Sequence, residues 1–413
     1  MIRELTSECV HCGFCLPTCP TYVLWSEEMD SPRGRIQLME ARLDGTIALN
    51  RTVVEHFDRC LGCMACVSSC PSGVKYDRLI EATRDVVERE FPRRPAERLV
   101  RTLLFQLLPY PKRMGAALRL AVPARSVPLP RSLRPLAEIA PPWRSTERPP
   151  ESTPAHGERL PKVGVVTGCV QSAVFGSVNT ATSRVLAADG FEVVAPRQGC
   201  CGALSVHAGR LEEGKAFARR LIEAFEKADV ELVVVNASGC GSHLKELEWL
   251  LGDDPAWADR AAAFSRSVRD VGELLHEVEP RATRHPLPLR VAFQDSCHLR
   301  HAQRLPLASR ASLARIPGLE IVEPAEQDLC CGSAGIYNVV QAATARELGE
   351  RKARHVLATG AHALASANPG CLVQLATTLR RMKQPLPALH PIELVDASLR
   401  GVPAGRLRAT ARR

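Results

Sequence analysis

Cys9, Cys12, Cys15 and Cys19, closed by Pro20, fall within twelve residues, and fifty-one positions later Cys60, Cys63, Cys66, Cys70 and Pro71 repeat the spacing. A C-x2-C-x2-C run lets one tight loop turn three thiolates toward one face of an iron–sulfur cube, while the fourth corner needs a cysteine from elsewhere. In the two-cluster form of this motif the fourth cysteine of each copy ligates the other cluster. The spacing therefore assigns Cys9, Cys12, Cys15 and Cys70 to one [4Fe–4S] cluster, and Cys60, Cys63, Cys66 and Cys19 to a second. A zinc ion is satisfied by four ligands and gives no reason for eight cysteines and two prolines in matched copies. Gly13 and Gly62 sit inside the loops, where backbone must approach sulfur closely, although an ordinary turn would use glycine too.

The other eight cysteines are Cys169, Cys200, Cys201, Cys240, Cys297, Cys330, Cys331 and Cys371. They repeat once: the copies are offset by 128 positions at the first cysteine, 130 at the adjacent pair and 131 at the last. Adjacent cysteines are poor disulfide partners, because so small a ring strains the peptide bond between them. Side by side they can offer two thiolates to iron, so each repeat could present four sulfurs to a metal or to additional iron–sulfur. Reduced cysteines packed as small hydrophobes are the competing reading. His243 and His298 lie beside these cysteines and read best as polar core residues. Asn236 and Asn368, shortly before Cys240 and Cys371, read as turn formers.

The elements that must position these groups are partly legible. Residues 1–91 carry the paired motifs, with helical stretches at Arg35–Leu43 and along "YDRLIEATRDVVEREF", where Leu79, Ile80, Val86 and Val87 recur at helical spacing. Residues 92–161 form a basic, proline-punctuated connector with a short helix at Leu99–Leu108, its prolines excluding any long one. From Lys162 onward short apolar runs alternate with amphipathic ones, and runs such as "ELVVVNASGC" and "RVAFQDSC" each end in a cysteine. The expected fold is an α-helical two-cluster ferredoxin-like domain followed by two repeated α/β domains, 162–285 and 286–413, with largely parallel sheets. In such sheets ligands gather at the carboxyl ends of the strands.

Composition sets the remaining bounds. The chain has 413 residues, 45% hydrophobic and 24% charged, with no apolar run approaching a membrane span. Its start shows no secretory pattern, which leads to the expectation of a cytoplasmic protein. The net charge is +9, and the connector alone holds 13 Arg or Lys against 5 Asp or Glu. No recognition motif accompanies those arginines, so nucleic acid is not an expected partner. An acidic protein or anionic lipid heads would suit them, and so would plain solvent. No G-x-G-x-x-G follows an expected strand and no Walker loop is present. The chain reads as a carrier of single electrons without its own flavin, fed by a separate flavoprotein and without catalytic residues of its own.

The stretches "CVHCGFCLPTCPTYVLWSEEMDSPRGRIQLM", "HFDRCLGCMACVSSCPSGVKYDRL", "ASGCGSHLKE" and "LCCGSAGIYN" closely resemble the iron–sulfur subunits of bacterial glycolate oxidase. The resemblance implies a complex with FAD-binding subunits that oxidises glycolate to glyoxylate, an oxidoreductase acting on a CH–OH group. This chain would relay electrons to a quinone or other membrane acceptor, with peripheral contact at the inner face of the cell membrane. The same resemblance implies that both C-terminal repeats are "CCG" domains, shared with heterodisulfide reductase, lactate-utilisation and glycerol-3-phosphate dehydrogenase subunits, which supply the alternative functions. That wider motif ends in C-x-x-C, whereas here Cys240 is followed by His243 and Cys371 by Gln374.

Overall fold

The computed structural model describes residues 2–124 and 147–409. The N-terminal segment is helical, with Pro32–Leu43, Arg51–Asp58 and Tyr76–Glu90 as its longer helices. Ile36, Met39, Val53, Val54, Phe57, Leu79, Ile80 and Val87 form its core, and Cys60 and Cys66 are buried among them. Few apolar side chains hold this segment, so the contents of the two cysteine loops bear on its stability.

The connector corrects one expectation. It contains two helices, Pro95–Leu107 and Pro111–Ala124, longer than the short element expected there. Each begins at a proline, whose missing N–H would be unpaired in the first turn anyway, so these prolines start helices instead of breaking them. Its charge is also partly spent inside the molecule. Arg93 and Arg101 pair with Asp58, at 2.7 and 3.2 Å, and with Glu88. The rest of the proline-rich stretch, 125–146, lies outside the described residues.

The two cysteine-rich repeats have one topology. In the first, β2 (Leu160–Val166) is flanked by β3 (Phe191–Val194) and β4 (Leu232–Val235), and β5 (Val268–Asp270) follows β4, all parallel. In the second, β6 (Leu289–Phe293) lies between β7 (Leu319–Val322) and β8 (Ala363–Ala365), with β9 (Ala388–Leu389) outside β8. A two-residue strand from the connector, β1 (Ser152–Thr153), adds antiparallel to β3 and makes the first sheet mixed. Runs such as Val233, Val234 and Val235 are buried on both faces, as parallel strands covered by helices require.

Besides a cluster of its own in each, the two repeats share a core. Val163, Val165, Phe191 and Val234 of the first pack in one cluster with Val291, Phe293, Leu313 and Leu394 of the second. The long helix between β2 and β3, Gly176–Ala188, packs on the helix after β9, Pro391–Leu399, and the helix after β5, Val271–Glu277, packs on Ala308–Ala314 after β6. Arg184 seals the first of these contacts with a bidentate bond to Asp396 (2.7 and 3.1 Å). This exchange turns the cysteine-bearing ends of both sheets toward one region.

Candidate iron–sulfur sites

Each N-terminal loop uses the same backbone device. Positions two and four after the first cysteine have positive φ in both copies: His11 (53°) and Gly13 (85°) in one, Gly62 (62°) and Met64 (62°) in the other. Glycine thus fills only one of the two left-handed positions in each loop, and a different one each time. The result in both loops is a tight turn whose cysteines line a common pocket.

Cys9, Cys12, Cys15 and Cys70 line one pocket together with Ile36, Cys66 and Tyr76. Cys19, Cys60, Cys63 and Cys66 line a second, with Arg35 and Tyr76. The fourth cysteine of each run thus lies with the other motif's first three. The two pockets differ in depth: in the first Cys12 is exposed and the others half-buried, whereas all four cysteines of the second are buried. Burial pushes the Cys15 thiol up to about 11 and the Cys63 and Cys66 thiols well above their usual range. Buried thiols in this state become ligands only when a cation accompanies deprotonation, which is what an iron–sulfur core brings. Cys60 is the exception: against the upward push of burial, the Arg35 and Arg84 guanidiniums hold it below the usual thiol value. Its sulfur accepts from Gly62 N–H (3.4 Å) and Tyr76 Oη–H (3.9 Å). Arg35 is itself buried, bonded to Asp30 (3.3 Å) and reaching Cys19 Sγ at 4.0 Å.

In each repeat the four remaining sulfurs form a file in chain order. Cys169 meets Cys200 at 3.4 Å, Cys200 bonds Cys201, and Cys201 bonds Cys240. Cys297, Cys330, Cys331 and Cys371 repeat the sequence of contacts. The first and last members stand beyond the strand ends of β2, β4, β6 and β8. The adjacent pair is followed by Gly202 (φ 97°) or Gly332 (φ 88°), where a Cβ would lie within 2.6 Å of Gly214 O or 2.7 Å of Ala345 O. Hydrogen bonds from Cys169 and Cys201 hold Cys200 well below the usual thiol value, while its donor Cys169 is raised. All sixteen cysteines are free thiols. Among the described residues no three His, Cys, Asp or Glu side chains converge on a point where one metal ion would touch them all; a cube, with its corners apart, asks for separated sulfurs instead.

The inner pocket abuts the second repeat. Leu61, Cys63 and Ala65 share a buried cluster with Leu329, Cys330 and Tyr337. His298 spans this junction, its Nε2–H donating to Gly62 O (3.0 Å) and its Nδ1 bonded to Ser242 Oγ (2.8 Å). It is a bridge between three parts of the chain, while His243 is a buried core residue whose Nε2 has no hydrogen-bond partner. Asn236 is no turn former: buried after β4, it donates to Asn179 Oδ1 and Thr182 Oγ1, both at 2.9 Å. Asn368 precedes the helix Pro369–Arg381 without a side-chain capping bond; its Nδ2 donates to Cys371 Sγ (3.6 Å) and its Oδ1 accepts from Gly239 N–H (3.4 Å).

Sequence reasoning passed over Glu81 and His207, which are bonded at 2.6 Å between the N-terminal segment and the first repeat. Glu81 was findable, because it interrupts the buried run Leu79–Thr83; its partner, 126 residues away, was not. Burial raises the Glu81 carboxyl to about 7 and lowers His207, His243 and His298 to about 4 each.

A 4Fe-4S dicluster domain model matches residues 5–74, and a cysteine-rich CCG domain model matches 163–245 and 291–376. The "Probable glycolate oxidase iron-sulfur subunit" of Bacillus subtilis is 39% identical over 394 residues, 90% of this chain and 89% of that one. The "Glycolate oxidase iron-sulfur subunit" of Escherichia coli is 37% identical over 397 residues, covering 95% and 93%. Lactate utilization protein A of Exiguobacterium is 28% identical over 58% of this chain and 99% of its own. A crystal structure of a hypothetical protein from Helicobacter pylori matches with a TM-score of 0.56 at 8% identity, covering 89% of this chain and 68% of that one, and shares the fold alone. With both cysteine systems in place and the likeness running through nearly its whole length, the chain belongs to the glycolate oxidase iron–sulfur subunit family and has an electron-transfer role.

Proposed function

We propose that this chain is the electron-relaying subunit of a glycolate-oxidising complex, taking electrons from an FAD-binding partner and passing them to a membrane acceptor such as a quinone. The observation that carries the reading is the graded depth of the two N-terminal quartets. Cys9, Cys12, Cys15 and Cys70 would hold one [4Fe–4S] cluster at the surface, and Cys19, Cys60, Cys63 and Cys66 a second beneath it. Bound there, the clusters supply one-electron transfer between a two-electron donor and the acceptor.

The chain's own residues order these sites. Val10 and Phe14, 68% and 66% exposed, flank the outer loop and offer an apolar contact to a partner. Arg35 and Arg84 set positive charge beside the inner quartet, which favours added electrons there over the outer site. Cys63 in turn neighbours Cys330, so the inner site faces the second repeat. The eight cysteines of the repeats are proposed as further metal-binding residues, on the strength of their matched files.

The test is metal content and substrate-driven reduction together. Anaerobically purified chain is expected to carry at least about eight irons, and glycolate plus the flavoprotein should reduce them, while the chain alone oxidises nothing. Reduction of quinone that is indifferent to Cys63→Ser would sink the relay. A second reading, direct disulfide chemistry in the first repeat, draws on the depressed Cys200 thiol beside Cys169. It requires that this chain alone, given an artificial electron donor, cleave a disulfide.

A further inference from the structure

The inner cysteine loop is fastened to the rest of the chain by three cationic or imidazole side chains. Arg84 donates to the Cys60 carbonyl and, at 2.7 Å, to the His207 carbonyl. His298 donates to Gly62 O, and His301 Nδ1 is bonded to Ser68 Oγ at 2.7 Å. One turn before Arg84 on the helix Tyr76–Glu90, the Glu81 carboxylate meets His207 Nδ1 at 2.6 Å. The His207 ring stands edge-on to His298, with ring centres 5.2 Å apart. A carboxylate and an imidazole bonded to each other thus sit directly behind the fasteners of the inner loop.

The pair lines a polar cavity of about 260 Å³ with exposed Lys75 and Arg304 at its rim. The Glu81 side chain is 11% exposed and that of His207 25%, so the pair is walled by protein yet reachable by water. The charged and titratable groups around it come from four elements. Its own helix supplies Asp77, Arg78 and Arg84; the stretch from Ser238 supplies His243, Lys245 and Glu246; the π-helical turn His298–Ala302 supplies His298 and His301. The start of the helix after His207 adds the Arg210–Glu213 pair (2.7 Å). Most are already engaged. Arg78 bonds Glu246 (3.2 Å), Lys245 bonds Glu273 (2.6 Å), and His298 and His301 use both ring nitrogens. Among the described residues no lysine or arginine bonds Glu81, and burial holds its carboxyl near 7 and His207 and His243 near 4. His207 and His243 are therefore neutral at ordinary pH, and Glu81 is the member of the pair whose charge changes there.

We propose that the Glu81–His207 pair stores one proton for each electron held at the inner quartet, taking it from the polar cavity on reduction and returning it on oxidation. The proposal rests on the relay reading for its electron source, the flavoprotein partner. His207 Nε2 has no partner, which assigns the ring proton to Nδ1, donating to Glu81 Oε1. The incoming proton, from water in the cavity, then binds Glu81 Oε2, and an O–H bond is the one bond formed. Arg84 ties the two sites together. Its guanidinium favours the charged forms of both the Cys60 thiol and the Glu81 carboxyl, and it bonds the Cys60 and His207 carbonyls at once. Negative charge added at the quartet makes a second negative charge on Glu81 costlier, and by linkage a proton on Glu81 makes the electron easier to add. Glu81 and His207 are positioning residues here, since neither touches the reacting sulfurs.

The test is an equilibrium redox titration of the cluster-loaded full chain at a series of pH values, read by paramagnetic resonance. The inner centre is identified as the one missing in Cys63→Ser. Its midpoint potential should be level below about pH 7 and fall above it, with the reduced chain binding the proton at least about fivefold more tightly than the oxidised. Glu81→Gln, which mimics the protonated carboxyl, should hold the potential level at its acid value throughout. Asp77→Asn removes a neighbouring carboxylate but not the pair, and should keep the fall. His207→Phe removes the donor to the carboxylate and should move the fall to higher pH. Infrared difference spectra of the unaltered chain, taken on reduction above pH 7, should gain a protonated-carboxyl band that Glu81→Gln lacks. Iron content and the resonance spectrum report whether each variant has folded and loaded. A fall that survives in loaded Glu81→Gln, or the absence of that band from the unaltered chain, overturns the proposal. Reduction by glycolate and flavoprotein is measured on the same preparation. If that fails while the potential still responds to Glu81→Gln, the proton store stands and the glycolate reading falls.

Discussion

The two cysteine-rich repeats share strand order, sulfur file and reciprocal helix packing, yet their surroundings differ at matched positions. In the second repeat Lys352 is fully buried, its Nζ donating to Glu326 O, and burial lowers its ammonium against the opposing pull of the Cys331 and Cys330 sulfurs. In the first, 131 positions earlier, stands Leu221, equally buried in an apolar cluster. The first repeat instead has His243 near its file, where the second has Gln374 donating to Ala345 O at 2.7 Å. One backbone thus supports two electrostatic settings for four sulfurs. The second file has a buried lysine beside it, whose charge burial disfavours and the neighbouring sulfurs favour, and its four thiols are all raised, while the first has sulfur hydrogen bonds that hold Cys200 down. The fold accounts for the position of the sulfurs, and single core differences change what surrounds them.

Exchanging the matched residues is the strongest way to break this comparison. Leu221→Lys places an ammonium in the apolar cluster without the carbonyl that receives Lys352, and it should destabilise the chain by about 3 kcal/mol or more in denaturant unfolding. A cost under about 1 kcal/mol would mean that the first repeat already has a place for the charge. Lys352→Met keeps volume and removes the cation. Stability should change little or rise, but the thiolate absorbance of the metal-free chain should titrate higher for the second file, on the order of one pH unit. No change would show that Lys352 serves packing alone.

The smallest effect separates the caps of the matched helices that follow the last strand of each sheet. Asp270 and Glu273 form a capping box on Val271–Glu277, and His390 and Glu393 form one on Pro391–Leu399. Burial raises Asp270 to about 7, so its contribution is full below the unfolded carboxylate value near 4 and is lost as pH rises through about 7. Burial lowers His390 to about 3, so its contribution is present above the unfolded value near 6.5 and is lost as pH falls toward about 3. Asparagine keeps a capping oxygen at either position. Asp270→Asn should flatten the stability profile between about pH 4 and 7, and His390→Asn between about pH 3 and 6.5. Identical profiles for both variants would show that these two groups do not set the pH limits of the fold.

Much of the site was legible because its chemistry is local. The C-x2-C-x2-C loops, the adjacent pairs and the repeat offsets read directly, and strand-ending cysteines follow from apolar runs that stop at a Cys. The connector helices were underestimated because proline excludes an interior helix but favours a first turn, and Pro95 and Pro111 occupy first turns. Asn236 misled because a residue four positions before a cysteine looks like loop, whereas a buried amide after β4 has Asn179 and Thr182 waiting on a neighbouring helix.

By itself the sequence determined which atoms can ligate iron, the duplication of the cysteine-rich unit and the parallel α/β class, since each depends on spacing and alternation within a few dozen residues. Only the tertiary structure decided that one quartet is half-buried and the other buried against the second repeat, that the two repeats share a core between them, and that His207 meets Glu81 between the N-terminal segment and the first repeat. Those outcomes depend on burial and on contacts between residues more than a hundred positions apart, and no local pattern encodes the environment that sets a thiol's charge or a cavity's polarity.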